Sequence, residues 1–100
     1  MKKIYFITDG DVYKIGVSEH PKERLKQLQT ANPNELWVAF EFPTEFGQQH
    51  ETTLHRFLNR YHKRGEWFVL EKSEFENTKK ICQQIEDNFK ILRENSTLYL

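Results

Sequence analysis

The sequence predicts a small α/β domain of the α+β kind. Its sheet is mainly antiparallel and three-stranded with flanking helices, in the order ββαβα, followed by a short strand and a C-terminal helix. Three observations carry this. Two β-rich runs flank Asp9-Gly10, the dipeptide that most strongly marks a two-residue hairpin loop. Two later stretches repeat apolar residues at steps of three and four, the helical period. The chain has 100 residues, 37% of them apolar and 14% aromatic, which suits one domain with a modest core.

The hairpin comes first. A two-residue loop at Asp9-Gly10 sets Thr8 opposite Asp11, Ile7 opposite Val12, Phe6 opposite Tyr13 and Tyr5 opposite Lys14. Side chains alternate between the faces of a strand, so Tyr5, Ile7, Val12 and Lys14 share one face, and Ile4, Phe6, Tyr13 and Ile15 the other. A phenol therefore stands beside an ammonium on an otherwise apolar ribbon that ends at Gly16.

Pro21 suits the first position of a helix, Leu25 and Leu28 mark its apolar side, and Asn32-Pro33-Asn34 ends it. Arg24, one turn before Leu28, flanks that buried stripe. Glu35 to Phe42 reads as the third strand, stopped by Pro43. A second helix is expected from about Glu45 to His62, with Phe46, His50, Leu54, Phe57, Leu58 and Tyr61 inward. Glu51, His55, Leu58 and His62 form the adjacent stripe at its border. His50 and His55 are five residues apart, roughly 140° around a helix, so they do not make a zinc-protease pair. Gly65 breaks the helix, and residues 66–70 form a short strand. Ser73 with Glu76 reads as a capping box for the last helix, whose stripe runs Phe75, Thr78, Ile81, Cys82, Ile85, Phe89, Leu92.

The bulk numbers exclude several classes. Net charge is zero, so no global basic footprint points to a polyanion; residues 1–64 carry ten Lys/Arg against eight Asp/Glu, a weak local excess. The densest basic cluster is Arg56, Arg60, Lys63 and Arg64. One cysteine, Cys82, rules out an internal disulfide and a cysteine zinc site. Asp9-Gly10-Asp11 interrupts the opening apolar run before it reaches signal-peptide length, and no run approaches a membrane span. A soluble, cytoplasmic protein with no membrane partner is expected.

Five segments in order then carry a resemblance. They are Tyr5 in the first strand, Lys14-Ile15-Gly16 closing the second, Arg24-Leu25-x-x-Leu28, Glu51-x-x-Leu54-His55, and Gly65-Glu66-Trp67-Phe68. The chain resembles the short phage and bacterial branch of the GIY-YIG nuclease superfamily, with Lys3 in place of the first motif's glycine and Lys14 in place of the second motif's tyrosine. The superfamily's late asparagine has no clear counterpart. The resemblance implies one domain over residues 1–100, with its core at 3–70 and an added helix at 71–100. It also implies metal-assisted hydrolysis of DNA phosphodiesters, with Tyr5 and Arg24 as catalytic residues and Glu51 as the metal ligand. Lys14, beside Tyr5, and His55, one turn on from Glu51 and able to hydrogen-bond it or contact the scissile phosphate, join them as candidate catalytic residues.

The residues suit those roles. Magnesium, or manganese in its place, needs only one or two protein carboxylates when waters and phosphate oxygens complete its shell. Arg24 can neutralise charge developing on phosphate, and Tyr5 can move a proton if a neighbouring cation such as Lys14 lowers its pKa. Each residue also has an ordinary role: strand aromatic, exposed lysine, solvated arginine, rim glutamate, half-buried histidine. Glu66 either pairs with a basic site residue or fixes the turn. The basic cluster is either a solvated helix face or a set of contacts to DNA phosphates. Besides the endonuclease, two other functions fit: a non-catalytic nucleic-acid-binding module, and an interaction protein using the last helix, as in a homodimer.

Overall fold

In the computed structural model, which describes the backbone of residues 1–98 and side-chain surroundings through residue 95, the hairpin takes a wider loop than Asp-Gly alone requires. Strand β1 (Lys3–Thr8) pairs with β2 (Val12–Ser18) so that Thr8 faces Tyr13, Ile7 faces Lys14, Phe6 faces Ile15 and Tyr5 faces Gly16. The register is two residues away from the expected one. The cause is local. Asp9 Oδ1 accepts the backbone N–H groups of Asp11 at 2.9 Å and Val12 at 3.1 Å, while Thr8 Oγ1 donates to the Val12 carbonyl at 2.7 Å. These bonds hold Asp9 to Val12 as a four-residue turn, and Gly10 supplies the positive φ it needs, 106°. A shift of two preserves parity, so the expected faces survive although the expected Tyr5–Lys14 pairing does not.

Helix α1 (Pro21–Thr30) follows, then β3 (Trp37–Pro43), helix α2 (Gln48–Phe57) and a 3₁₀ turn (Asn59–Tyr61). Next come β4 (His62–Arg64), β5 (Trp67–Val69) and helix α3 (Lys72–Leu98). The sheet has five strands rather than three, all antiparallel, in the order β3-β1-β2-β5-β4. The expected short strand at 66–70 is β5, and the strand that was not expected is β4. The expected second helix stops at Phe57, because Gly65, at φ +56°, turns His62–Arg64 back on Trp67–Val69 as a hairpin. β4 is an edge strand with all three residues exposed, and its Lys63 and Arg64 give that edge the charge that discourages further pairing. The cap of α3 also sits earlier than expected, with Glu74 Oε1 accepting the Glu71 backbone N–H at 2.8 Å.

The sheet separates two cores. On one face Ile4, Phe6, Ile15 and Phe68 pack with Leu54 of α2, with Leu58 just after it, and with Cys82 and Ile85 of α3. On the other, Tyr5 and Ile7 pack with Leu25 and Leu28 of α1, with Leu36 and Val38, and with Trp67. A bulge at Ala39 returns Val38 to the Ile7 side of β1. Cys82 is fully buried, and burial together with the Glu86 charge pushes its thiol up to about 12. Among the described residues no helix is long and apolar enough to cross a membrane.

Candidate functional site

The site forms where β5 stops short. β5 accompanies β2 only from Val12 to Lys14, and the Ile15 N–H then reaches the Glu66 carbonyl at 3.1 Å. Beyond that point β2 has no strand on this edge, and two side chains of α2 take over its backbone groups. His55 Nε2 donates to the Ile15 carbonyl at 2.8 Å, and the Glu51 carboxylate accepts the Val17 backbone N–H. A carbonyl only accepts, so Nε2 carries a proton.

Tyr5 enters from β1, 2% exposed, and its hydroxyl oxygen accepts a hydrogen bond from Arg24 Nε of α1 at 3.4 Å. Arg24 also donates from Nη1 to Gln27 Oε1 at 3.1 Å, which braces the guanidinium along its own helix. Gly16 makes room for the phenol. A Cβ there would collide with the hydroxyl and Cζ of Tyr5, so glycine is required for space and not for backbone conformation. Gly16→Ala is expected to displace the ring and lower stability by about 1–3 kcal/mol. The check is a urea melt alongside the Tyr5–Arg24 contact seen crystallographically.

Lys14 lies on the same face but serves a different partner. Its Nζ is 3.6 Å from Glu66 Oε2 and 5.7 Å from the centre of the Trp67 ring. The cation bonded to Tyr5 is therefore Arg24, not Lys14. Burial raises the Tyr5 pKa above its ordinary value and outweighs the lowering by Arg24, with the charges of Glu66 and Glu51 adding to the rise. The phenol keeps its proton at neutral pH. With its oxygen accepting from Arg24, its O–H is available to donate.

Glu51 is half-buried, and its pKa also rises. Burial is the main cause and the Glu66 charge the second, against lowering by His55, the Val17 N–H and Lys14. A folded-state pKa above the unfolded value means that ionising Glu51 costs stability as pH rises through it. Glu51→Gln is thus expected to raise the melting temperature by a few degrees at pH 7, read by scanning calorimetry.

The structure brings together five of the sequence-predicted residues, Tyr5, Lys14, Arg24, Glu51 and His55, and adds Glu66. Glu66 is 52 residues from Lys14 in sequence, and only the β2–β5 pairing places them side by side. Its position just after a hairpin glycine and beside Trp67 is the one local hint. Arg56, Arg60, Lys63 and Arg64 are all exposed, and Arg56 lines a surface concavity with Thr52, His55 and Asn59. Arg60 lies over its neighbour Tyr61, 5.8 Å from the ring centre. Among the described residues no three His, Cys, Asp or Glu side chains converge as a ready metal cage. What converges is one carboxylate in the field of a second, which suits a hard cation that brings its own waters and phosphate oxygens and does not suit a structural zinc.

Comparison with curated proteins and with solved structures gives no match. A family model does match, that of the T5orf172 domain, over residues 2–91. This corrects the resemblance to the GIY-YIG nuclease superfamily, for the match falls to a different family. The segments behind that resemblance are short, and several have plain structural work here: Gly16 clears space for Tyr5, Gly65 turns a hairpin, and Glu51 and His55 close a strand edge. The matched stretch takes in every strand and most of α3, and the chain belongs to the T5orf172 domain family.

Proposed function

We propose that the protein is a metal-dependent DNA endonuclease. The observation that carries this reading is the Arg24–Tyr5 hydrogen bond beside two carboxylates, Glu51 and Glu66, and the Lys14 ammonium. Those are the group types that hydrolysis of a phosphodiester uses. Glu51 would hold Mg2+ or Mn2+, with Glu66 in reach of its field. When bound, the ion supplies charge neutralisation and a more acidic water.

The remaining work falls to the chain itself. Arg24 offers donors to the non-bridging phosphate oxygens, where negative charge grows as the attacking and leaving oxygens exchange. Tyr5, held protonated, donates its O–H to the same group while Arg24 fixes its oxygen. Lys14 carries a proton that can pass to the departing alkoxide, with Glu66 holding the ammonium in place. His55 anchors the floor through Ile15. Arg56, Arg60, Lys63 and Arg64 would contact backbone phosphates next to this centre, giving binding with little base readout. The protein would act in the cytoplasm, where DNA is at hand and a buried free thiol stays reduced.

The exposed basic residues Arg56, Arg60, Lys63 and Arg64 support a second reading, a DNA-binding module without catalysis. One experiment separates them. Supercoiled, linear and branched DNA are incubated with Mg2+ or Mn2+ and either wild type or Glu51→Ala, both checked for folding. Metal-dependent nicking by wild type that Glu51→Ala lacks supports the nuclease. DNA retention without cleavage by either protein supports the binding module.

A further inference from the structure

The face opposite the Tyr5 cluster hides a second polar group. Glu86 of α3, 3% exposed, is hydrogen-bonded on both oxygens. Oε1 accepts from Thr44 Oγ1 at 2.6 Å and from His50 Nδ1 at 2.9 Å, and Oε2 accepts the Glu45 backbone N–H at 2.8 Å. Thr44 Oγ1 in turn accepts the Phe46 N–H at 3.0 Å, and the Thr44 N–H donates to the Lys2 carbonyl at 2.9 Å. His50 is fully buried, and among the described residues its Nε2 has no partner. So many polar atoms in a small core need a reason beyond packing.

The reason lies in what they hold. α2 begins after Gly47, at φ +48°, and no side chain caps it. Its starting position is set from outside, by Glu86 gripping the Thr44–Phe46 segment and the His50 ring of the first turn. Successive residues on a helix point about 100° apart. Turning His50 toward α3 therefore turns Glu51 toward β2, where it meets the Val17 N–H.

We infer that Glu86, with Thr44 and His50, is the positioning device of the candidate site: α3 sets the rotation of α2 and thereby the place of the Glu51 carboxylate. This rests on the reading of Glu51 as the metal-holding residue. α3 is then part of the site's machinery, though none of its residues touches the reacting groups. A carboxylate displaced by even 1 Å from its working geometry loses much of its effect, so the coupling acts at short range.

The test uses the whole chain with Glu86→Gln, Thr44→Val, Thr44→Ser and Glu51→Gln, each confirmed folded by circular dichroism well below its melting temperature. Two readouts are taken: the Val17 amide peak in 1H–15N spectra, and binding of Mn2+ alone, counted as free ion by electron paramagnetic resonance. Glu86→Gln and Thr44→Val are expected to move the Val17 peak toward its Glu51→Gln position and to weaken Mn2+ binding about three- to tenfold. Thr44→Ser, which keeps the hydroxyl, is expected to restore both. Loss of stability alone moves neither reading in a folded sample. A Val17 peak and Mn2+ affinity at wild-type values in folded Glu86→Gln and Thr44→Val would overturn the inference, and Thr44→Val decides it if Glu86→Gln does not fold. Should Glu51→Gln bind Mn2+ as wild type does, the metal reading of Glu51 fails. The Val17 peak then decides the positioning role by itself.

Discussion

Arg24→Ala is expected to slow metal-dependent DNA cleavage by about two to three orders of magnitude in kcat, the range for losing one well-placed donor to a developing oxyanion. Its effect on DNA affinity should be smaller, because exposed arginines and lysines elsewhere share the phosphate contacts. Arg24→Lys should recover little. An ammonium is a point charge and cannot both bond the Tyr5 oxygen from Nε and brace on Gln27 from Nη1, as the guanidinium does. Single-turnover cleavage, which separates kcat from binding, checks this. Folding is not at stake, since Arg24 is only half-buried and its helix is anchored by Pro21, Leu25 and Leu28.

The largest loss of stability is expected from Glu86→Ala. Removing the carboxylate leaves Thr44 Oγ1, the Glu45 N–H and His50 Nδ1 without their acceptor in a closed core. Breaking such a buried group from one side costs about 3–5 kcal/mol, a large part of the ~5–15 kcal/mol that holds a small domain together. The melting temperature should fall by more than about 10 °C.

Acid should act in the same direction. Burial works against the Glu86 charge, but the bonds from Thr44, Glu45 and His50 outweigh it and hold the carboxyl below its ordinary 4.5. Burial likewise lowers His50 below its ordinary 6.5, outweighing the pull of Glu86. Both folded-state values are depressed. Their stabilisation is therefore complete above the ordinary values and is lost as pH falls, from about 6.5 for His50 and from about 4.5 for Glu86. Glu51 has the opposite sign and works against this loss. Melting curves from pH 7 to pH 4 test this, and Glu86→Gln should flatten the lower part of the profile.

What the sequence made legible follows the range of the interactions. The hairpin faces were readable because they depend only on alternation, which a two-residue register error leaves intact. The register itself was not, because the side chains of Thr8 and Asp9 reshape the turn. The apolar stripes placed Leu54, Cys82 and Ile85 inward, as found. The same stripe carried the second helix too far, since periodicity does not register a hairpin that starts three residues before a glycine. Glu66 was legible only as a residue that either pairs with a basic site residue or fixes the turn, and Glu86 not at all, for a different reason. Lys14 meets the first and His50 the second only through strand order and helix docking, across 52 and 36 residues. The family, finally, was misassigned on short words whose order is compatible with more than one family.

The brevity of β5 has a wider meaning. A sheet ordinarily seals itself, each strand spending its neighbour's donors and acceptors until only the rims remain. Here one strand quits after three residues, and the gap is stoppered with side chains in place of backbone. That stopper puts a carboxylate and an imidazole where backbone would otherwise stand. Extending β5 by two residues would complete the weave and wall off the candidate centre. Under the proposed function, the aperture where DNA would react is a missing stitch, and its width is set by where a strand was allowed to end.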